Sequence, residues 1–129
     1  MAALHVAVGV LTAADGRVLI SRRADAVHQG GLWEFPGGKV ETGESVEQAL
    51  VREFAEELGV RVKATRPLLL QPFDYGDKAV LLDVHRISEW SGEPRGLEGQ
   101  PLAWVAPEAL ANYAFPAANR PILQRLLAS

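Results

Sequence analysis

The sequence predicts a mixed α/β fold, and we expect residues 1–129 to form one domain. Short runs rich in valine, leucine and isoleucine are separated by turns containing glycine or proline, a pattern typical of strands. Two other segments, residues 46–58 and 120–127, carry apolar residues at helical spacing. Because a chain of 129 residues fits a single domain, strands flanked by two helices predict a layered architecture of helices on a sheet.

The N-terminal part of the chain is predicted to be strand. Residues 4–11 form a nearly continuous apolar run with valine at alternate positions, and a turn at 14–16 separates them from a second run at 18–20. This arrangement predicts a hairpin. Residues 32–35 predict a further short strand, which we expect to end at residues 36–38, Pro-Gly-Gly.

The first helix is predicted to begin after Ser45. Ser45 and Gln48 match a capping box, and Gly59 is a typical C-terminal stop. Apolar side chains recur every fourth residue between these signals, at Val46, Leu50, Phe54 and Leu58. The spacing therefore predicts a helix with one face on the core.

The C-terminal half carries weaker signals. In chain order, it predicts strands at 61–70 and 78–87, a loop at 91–101, a brief strand at 104–105, a helical turn at 107–110 and a helix at 120–127. The loop is inferred from its three glycines and two prolines. The last helix has Pro121 at its first turn, a position that proline favours.

Composition excludes several classes of protein. A net charge of −3 is unfavourable for a protein that binds a nucleic acid polymer through a basic face. No apolar run approaches the ~18 residues of a membrane span, and the N-terminus lacks a secretory signal pattern. The absence of cysteine excludes disulfides and thiolate metal sites. We therefore expect a cytoplasmic protein, working as a monomer on a small molecule.

Three acids in the first helix predict a cation site. Glu53, Glu56 and Glu57 lie at positions i, i+3 and i+4 and so share one arc of the helix. Like charges at this spacing destabilise a helix by ~0.2–0.5 kcal/mol per pair, and a bound cation would reverse that effect. Oxygen ligands suit Mg²⁺, which shares its coordination with water and phosphate. Spacing alone is equally compatible with a solvated helix face.

The acids belong to a longer pattern in fixed register. It consists of Gly38, five residues, Glu44, seven residues, Arg52-Glu53-Phe54, one residue, Glu56-Glu57, one residue and Gly59-Val60. This pattern resembles the signature of the Nudix family at every defined position. Within that family the chain resembles the MutT type, on the segments ISRR (20–23), WEFPGGK (33–39), EP (93–94), EGQP (98–101) and FPAAN (115–119).

The resemblance implies a Nudix-type α/β/α sandwich around a mixed sheet, and it implies roles for the acidic residues. The implied Mg²⁺ ligands, with Mn²⁺ as an alternative ion, are the carbonyl of Gly37 and the carboxylates of Glu53, Glu56, Glu57 and Glu98. Glu53 is the expected general base, with Glu98 and Glu44 as alternatives. Arg52, one turn before Glu56, is expected to pair with a carboxylate of the cluster and fix its rotamer.

The resemblance also implies where a nucleotide binds. Arg23, Lys39 and the backbone at Gly38 are expected to meet phosphate oxygens. The implied base-binding residues are Val6, Val8, His28, Phe35, Lys78, Val80 and Asn119. Asn119 is also well placed to cap the last helix. The turn at 75–78, with Tyr75 and Lys78, departs from the pattern of the type, which leaves the sugar and base-edge contacts open.

The activity implied is hydrolysis of 8-oxo-(d)GTP to its monophosphate and pyrophosphate, by water attack at the β-phosphorus. Two alternatives stay open. One is a Nudix pyrophosphohydrolase for CTP, dCTP or another triphosphate, because residues 31–35 also occur in such relatives. The other is a non-catalytic module that binds a nucleotide or a protein, against which the intact acidic cluster argues.

Overall fold

The computed structural model describes residues 3–24 and 30–128, which form seven strands and two α-helices joined by turns and 3-10 helices. The strands are β1 Leu4–Leu11, β2 Val18–Arg22, β3 Trp33–Glu34, β4 Gly37–Lys39, β5 Arg61–Asp74, β6 Ala79–Ser91 and β7 Leu102–Val105. The helices are α1 Val46–Leu58 and α2 Arg120–Ala128, and two 3-10 helices span Pro107–Asn112 and Ala117–Asn119. Of the described helices, none is long and apolar enough to cross a membrane.

The strands form two sheets rather than one. The larger sheet has the order β4-β1-β6-β5, and the smaller has the order β3-β2-β7. The larger sheet is mixed, because β1 runs parallel to β6 from the Leu4–Val80 pair to the Leu11–Ile87 pair, while its other pairs are antiparallel. The prediction of a mixed sheet is confirmed.

One prediction for the N-terminal strands is wrong and another is incomplete. The turn at 14–16 is present, yet β1 and β2 do not form a hairpin, because both edges of β1 already pair with β4 and β6. A single bridge between Thr12 and Val18 joins the two segments before they diverge into different sheets. The short strand β3 ends before the Pro-Gly-Gly segment, as predicted, but Gly37–Lys39 then pairs with β1 as a strand of its own, which was not predicted.

Helix α1 has the predicted boundaries. The Ser45 hydroxyl accepts from the backbone N–H of Gln48 at 3.1 Å, and the Gln48 side chain accepts from the backbone N–H of Ser45 at 2.8 Å. Gly59 ends the helix in the left-handed region, at φ 69°. A side chain at Gly9 would lie 2.5 Å from the Phe54 ring, so glycine in β1 allows the helix to approach the sheet closely.

The core lies on both faces of the sheets. Adjacent β1 residues point to opposite sides: Leu11 belongs to the apolar cluster that contains Phe54 of α1, whereas Val10 belongs to the one that contains Ile122 of α2. Both apolar clusters include residues of the smaller sheet. The sheets are therefore covered by α1 on one face and α2 on the other, as expected for an α/β/α sandwich.

Candidate active site

The acidic half of α1 lies against β4. Glu53 lies directly against this strand: a side-chain carbon added to Gly38 would lie 2.5 Å from the Glu53 carboxyl carbon. A carbon added to Gly37 would overlap the carbonyl oxygen of Ala7. The two glycines are therefore needed for the Glu53 carboxylate and strand β1 to pack against this backbone.

Glu57 carries an unusual carboxyl group. Its Oε2 atom is buried and has no hydrogen-bond partner among the residues that the structure describes. Burial raises the pKa of Glu57 far above its ordinary value of 4.5, and a hydrogen bond with Glu53 and the negative charges of Glu53, Glu98 and Glu34 add to the increase. A buried oxygen without a partner is costly, so this group is suited to an ion or ligand.

Arg52 holds the carboxylates of Glu44 and Glu53 in place. Its guanidinium donates to Glu44 through Nε at 2.8 Å and Nη2 at 2.9 Å, and to Glu53 through Nη1 at 2.6 Å. Nη2 also donates to the carbonyl of Lys39 at 3.0 Å. Arg52 lowers the pKa of Glu44 to about 2, helped by the backbone N–H of Glu41. The carboxylates of Glu44 and Glu53 are thus fixed by one cation.

A loop brings another acid to the end of α1. The backbone N–H of Glu98 donates to Gln100 Oε1 at 2.9 Å, and Gln100 Nε2 donates to the carbonyl of Glu57 at 3.1 Å. Glu34, Glu57 and Glu98 consequently line one depression, which we call the acidic cleft. Across residues 3–24 and 30–128, no three carboxylate or imidazole groups already converge in coordinating geometry. A cation in the cleft therefore requires carboxylates to turn toward it.

A second depression, the central pocket, lies on the α2 side of the larger sheet. It is lined by nine of the residues singled out in the sequence, namely Val6, Val8, Arg23, Phe35, Gly37, Gly38, Lys78, Val80 and Asn119. Phe35 stacks on Phe115, with centroids 5.4 Å apart and planes at 22°. Tyr75 also lines the pocket and packs edge-on against Phe73. The pocket is mostly apolar, with a few polar groups at its margin.

The Asn119 side chain is half-buried at the margin of the central pocket. Asn119 ends the 3-10 helix that runs directly into α2. Within the described ranges, its carboxamide makes no hydrogen bond to the first turn of α2 or to any other group. In the described part of the chain the Asn119 side chain therefore does not cap α2, and its role at the margin of the pocket stays a prediction.

A model of the NUDIX domain matches residues 7–125. The chain belongs to the Nudix family. It is 37% identical to the 8-oxo-dGTP diphosphatase of Escherichia coli K12 over 126 residues, 98% of each chain, and 35% identical to the CTP pyrophosphohydrolase of the same organism over 114 residues, 88% of this chain and 84% of that one. A MutT structure, from work on the proteins of Aliivibrio salmonicida and Vibrio cholerae, matches with a TM-score of 0.84 at 38% identity, covering 98% of this chain and 97% of that chain.

The Nudix signature from Gly38 to Val60 thus spans β4, the turn after it and α1. Nudix hydrolases in general need divalent metal ions, and this signature places Glu53 beside the backbone of Gly38 and within hydrogen-bonding reach of Glu57. The described residues contribute a buried, partnerless oxygen and a set of mutually repelling carboxylates. This donor chemistry fits a hard divalent cation.

Some predicted residues lie apart from both depressions in this Nudix chain. Glu56 is 61% exposed, with Oε2 3.9 Å from Arg52 Nη1. Lys39 is exposed and lines neither the acidic cleft nor the central pocket. His28 lies outside the described residues. The roles assigned to these three residues stay predictions, as do those of the other site residues.

Glu34 is the residue that the sequence reading missed. It lines both depressions, and its Oε1 accepts from Arg23 Nη1 at 2.9 Å. Burial raises the pKa of Glu34, while the hydrogen bond from Arg23 opposes the increase. Its position between Trp33 and Phe35 in the WEFPGGK segment was visible, but nothing in the local pattern indicated its partner.

Proposed function

We propose that this Nudix protein hydrolyses 8-oxo-dGTP to 8-oxo-dGMP and pyrophosphate with Mg²⁺, which would remove a mutagenic precursor from the nucleotide pool. The observation that carries the proposal is that the central pocket, with Asn119 at its margin, adjoins the acidic cleft. A nucleotide with its base in the pocket therefore has its phosphates near the carboxylates. The relatives named for 8-oxo-dGTP hydrolysis support the choice of substrate.

Glu57 is the principal ligand in this proposal, because its Oε2 is buried without a partner in the described part of the chain. Glu56, Glu53, Glu98 and the carbonyl of Gly37 complete the proposed set. Glu56 would have to turn inward from its exposed position. When bound, the cation neutralises phosphate oxygens and lowers the pKa of a water molecule.

Glu53 is the proposed general base. One of its oxygens is held by Arg52 at 2.6 Å, which fixes the carboxylate beside Glu57 and Gly38. Glu44 is a weaker candidate, because Arg52 and the backbone N–H of Glu41 occupy its two oxygens. Glu98 remains the alternative base, since it lines the acidic cleft.

The proposed step is a displacement at the β-phosphorus. The water oxygen bonds to this phosphorus as the bond to the α,β-bridging oxygen breaks, and the nucleoside monophosphate leaves with that oxygen. The water proton passes to Glu53 and then to solvent. The proposed phosphate contacts are Arg23, Lys39 and the backbone of Gly38. Lys39 is exposed, so its side chain would have to move to reach the phosphates.

The base is proposed to lie between apolar side chains of the central pocket. Phe35, backed by Phe115, offers a stacking face, and Val6, Val8 and Val80 form the wall. Oxidation at C8 turns N7 of guanine from an acceptor into a donor beside the acceptor O6. The Asn119 carboxamide can accept a hydrogen bond from N7–H and donate one to O6.

A second candidate is a CTP-type pyrophosphohydrolase, favoured by the relative of that name. Product formation from 8-oxo-dGTP, dGTP, CTP and dCTP with Mg²⁺ separates the two. We expect the highest kcat/KM for 8-oxo-dGTP. A preference for a cytidine nucleotide would support the second candidate, and no turnover of any nucleotide would indicate a binding module.

A further inference from the structure

A buried serine lies in the wall of the acidic cleft. Ser21 is 3% exposed, and it lines the cleft together with Glu34, Glu57 and Glu98. Its hydroxyl makes no hydrogen bond to any group in residues 3–24 and 30–128. A buried hydroxyl without a partner is costly. The packing of β2 alone therefore gives no reason for serine rather than alanine at this position.

The Ser21 side chain points to the α1 side of the smaller sheet. Leu19, two residues earlier in β2, has its side chain on the same face and belongs to the apolar cluster that contains Phe54 and Leu58 of α1. Glu57 directly precedes Leu58 in the last turn of that helix. Strand β2 thus directs the Ser21 hydroxyl toward the face on which the acidic part of α1 lies.

Two polar groups of the cleft have no partner among the described residues, the Ser21 hydroxyl and Glu57 Oε2. The hydroxyl can donate a hydrogen bond, whereas an ionised carboxylate can only accept. Other donors in the cleft already make hydrogen bonds, since Arg23 donates to Glu34 and Gln100 Nε2 donates to the carbonyl of Glu57. The hydroxyl and the carboxylate are therefore complementary.

These two groups are not bonded to each other in the structure. The described carboxylates do not yet converge on a cation position, so a bound cation requires Glu57 to turn. An oxygen of Glu57 that contacts the cation leaves the second oxygen of the same carboxylate in need of a donor. Carboxylates that bind metals are in turn hydrogen-bonded by neighbouring groups.

We propose that Ser21 is a positioning residue of the cation site, whose hydroxyl donates to the Glu57 carboxylate when that carboxylate turns to hold a divalent cation. This inference rests on the proposed function, because it takes Glu57 as the principal ligand. Ser21 acts through Glu57 and contacts neither the cation nor the nucleotide. Its removal should therefore weaken cation binding without destabilising the metal-free protein.

The test compares the parent with Ser21→Ala and Ser21→Thr. Binding of Mn²⁺ without nucleotide is measured by electron paramagnetic resonance, and stability by urea unfolding without metal. We expect Ser21→Ala to weaken Mn²⁺ binding about tenfold, and Ser21→Thr, which keeps the hydroxyl and suits a strand, to stay within about twofold of the parent. Metal-free Ser21→Ala should be no less stable than the parent, because it loses a buried group without a partner.

Ser88→Ala is the control, because Ser88 is an exposed serine of β6 that lines neither depression, and it should keep the parent affinity. Unchanged Mn²⁺ binding in Ser21→Ala would overturn the inference. Equal losses in Ser21→Ala and Ser21→Thr would overturn it too, since the shape of the side chain would then matter and not the hydroxyl. Weaker binding together with lower metal-free stability would assign Ser21 a purely structural role.

A crystal structure of the parent with Mn²⁺ identifies the partner of the hydroxyl. The inference expects Ser21 Oγ to lie about 2.5–3.0 Å from an oxygen of the Glu57 carboxylate. A hydrogen bond to Glu34 or Glu98 instead, or none, would overturn the assignment to Glu57.

These measurements separate the inference from the choice of reaction. If the parent hydrolyses 8-oxo-dGTP with Mg²⁺ and Ser21→Ala binds Mn²⁺ as the parent does, the proposed function stands and this inference fails. If Ser21→Ala binds Mn²⁺ more weakly as expected and the parent hydrolyses no triphosphate, the inference stands and the proposed function fails. A parent that binds no Mn²⁺ would overturn both.

Discussion

The Glu44 carboxylate and the Arg52 guanidinium meet through two parallel hydrogen bonds, from Nε to Oε2 at 2.8 Å and from Nη2 to Oε1 at 2.9 Å. The same guanidinium donates to Glu53 and to the carbonyl of Lys39. One side chain therefore joins the turn before α1, the helix itself and strand β4. A planar fork can make these contacts together, whereas the point charge of lysine cannot.

Arg52→Lys should accordingly lower kcat about 10- to 100-fold, the range for groups that orient metal-site ligands, with little loss of secondary structure. Arg61→Lys, an exposed arginine at the start of β5, is the matched control and should leave kcat unchanged. The comparison needs steady-state kinetics and circular dichroism. Unchanged kcat in Arg52→Lys would show that the fork is not needed.

The same contact predicts an acid limb of stability. The folded-state pKa of Glu44 is about 2, below its ordinary value of 4.5, and Arg52 is the main cause. The ionised form is thus favoured in the folded state, so its contribution is present above pH 4.5 and is lost as pH falls toward 2. Urea unfolding of Glu44→Gln should show a weaker dependence on pH in this window than the parent. Identical curves would contradict the assignment.

Glu57 gives the opposite dependence. Its folded-state pKa is raised above 4.5, so the folded protein binds more protons than the unfolded chain, and stability without metal should fall as pH rises above 4.5. Glu57→Gln should remove this trend, be no less stable than the metal-free parent at pH 7, and lose most of the activity. The control is Glu47→Gln, which changes an exposed acid of the same helix and should keep the activity of the parent. The comparison is made by urea unfolding across pH, with and without Mg²⁺. Full Mg²⁺-dependent turnover in Glu57→Gln would show that Glu57 is not a ligand of the metal.

The site of water attack can be read from an isotope. Hydrolysis in ¹⁸O-labelled water should place the label in pyrophosphate if the β-phosphorus is attacked, because the new bond forms to that phosphorus. Mass spectrometry of the two products gives the answer. Label in the monophosphate would mean attack at the α-phosphorus and would leave the proposed metal site unaffected.

A polar network on the α1 face of the larger sheet should contribute to stability alone. Asp83 accepts from His5 Nε2 at 2.9 Å and lies 3.4 Å from His85 Nε2, and the other ring nitrogen of His85 bonds the Thr65 hydroxyl. His85 is 9% exposed and His5 39%. Asp83→Ala leaves His85 without its acceptor and should cost about 1–3 kcal/mol in unfolding free energy.

His5→Ala is compared with Asp83→Ala. In His5→Ala the Asp83 carboxylate still lies next to His85, and the histidine that is lost is the more exposed of the two. Chemical unfolding should show a smaller loss for His5→Ala than for Asp83→Ala, and both variants should retain the parent kcat/KM. A large loss of activity in Asp83→Ala at unchanged stability would contradict a purely structural role.

The sequence predicted α1 and its acids because their signals are local. Fifteen consecutive residues contain all of them: the Ser45 and Gln48 pair, the apolar residues at every fourth position and Gly59. The partner of each strand was not predictable in this way. Apart from His5, β1 is an almost continuous apolar run because it lies between two neighbouring strands, and such a run does not say which segments will flank it.

The same limit applies to the site. Glu53 and Glu57 could be assigned to one helix face from their spacing, and the central pocket contains most of the residues named from the resemblance. The contact between Glu34 and Arg23 spans eleven residues and two strands, so it depends on the register of β2 against β3. Residues 37–39 were missed as a strand, because two of the three are glycines and carry no strand propensity.

The central claim, that oxidised guanine is selected in the central pocket, is tested most directly at Asn119. The ratio of kcat/KM for 8-oxo-dGTP to that for dGTP should be measured for the parent, Asn119→Ala and the control Asn112→Ala, whose side chain is exposed on a 3-10 helix. Opposed or unpaired buried polar groups cost about 1–3 kcal/mol, which corresponds to roughly ten- to a hundredfold. We expect the ratio to fall at least about tenfold in Asn119→Ala and to stay at the parent value in Asn112→Ala, with unchanged Mg²⁺ dependence in both. A parent ratio near one, or an unchanged ratio in Asn119→Ala, would contradict the claim.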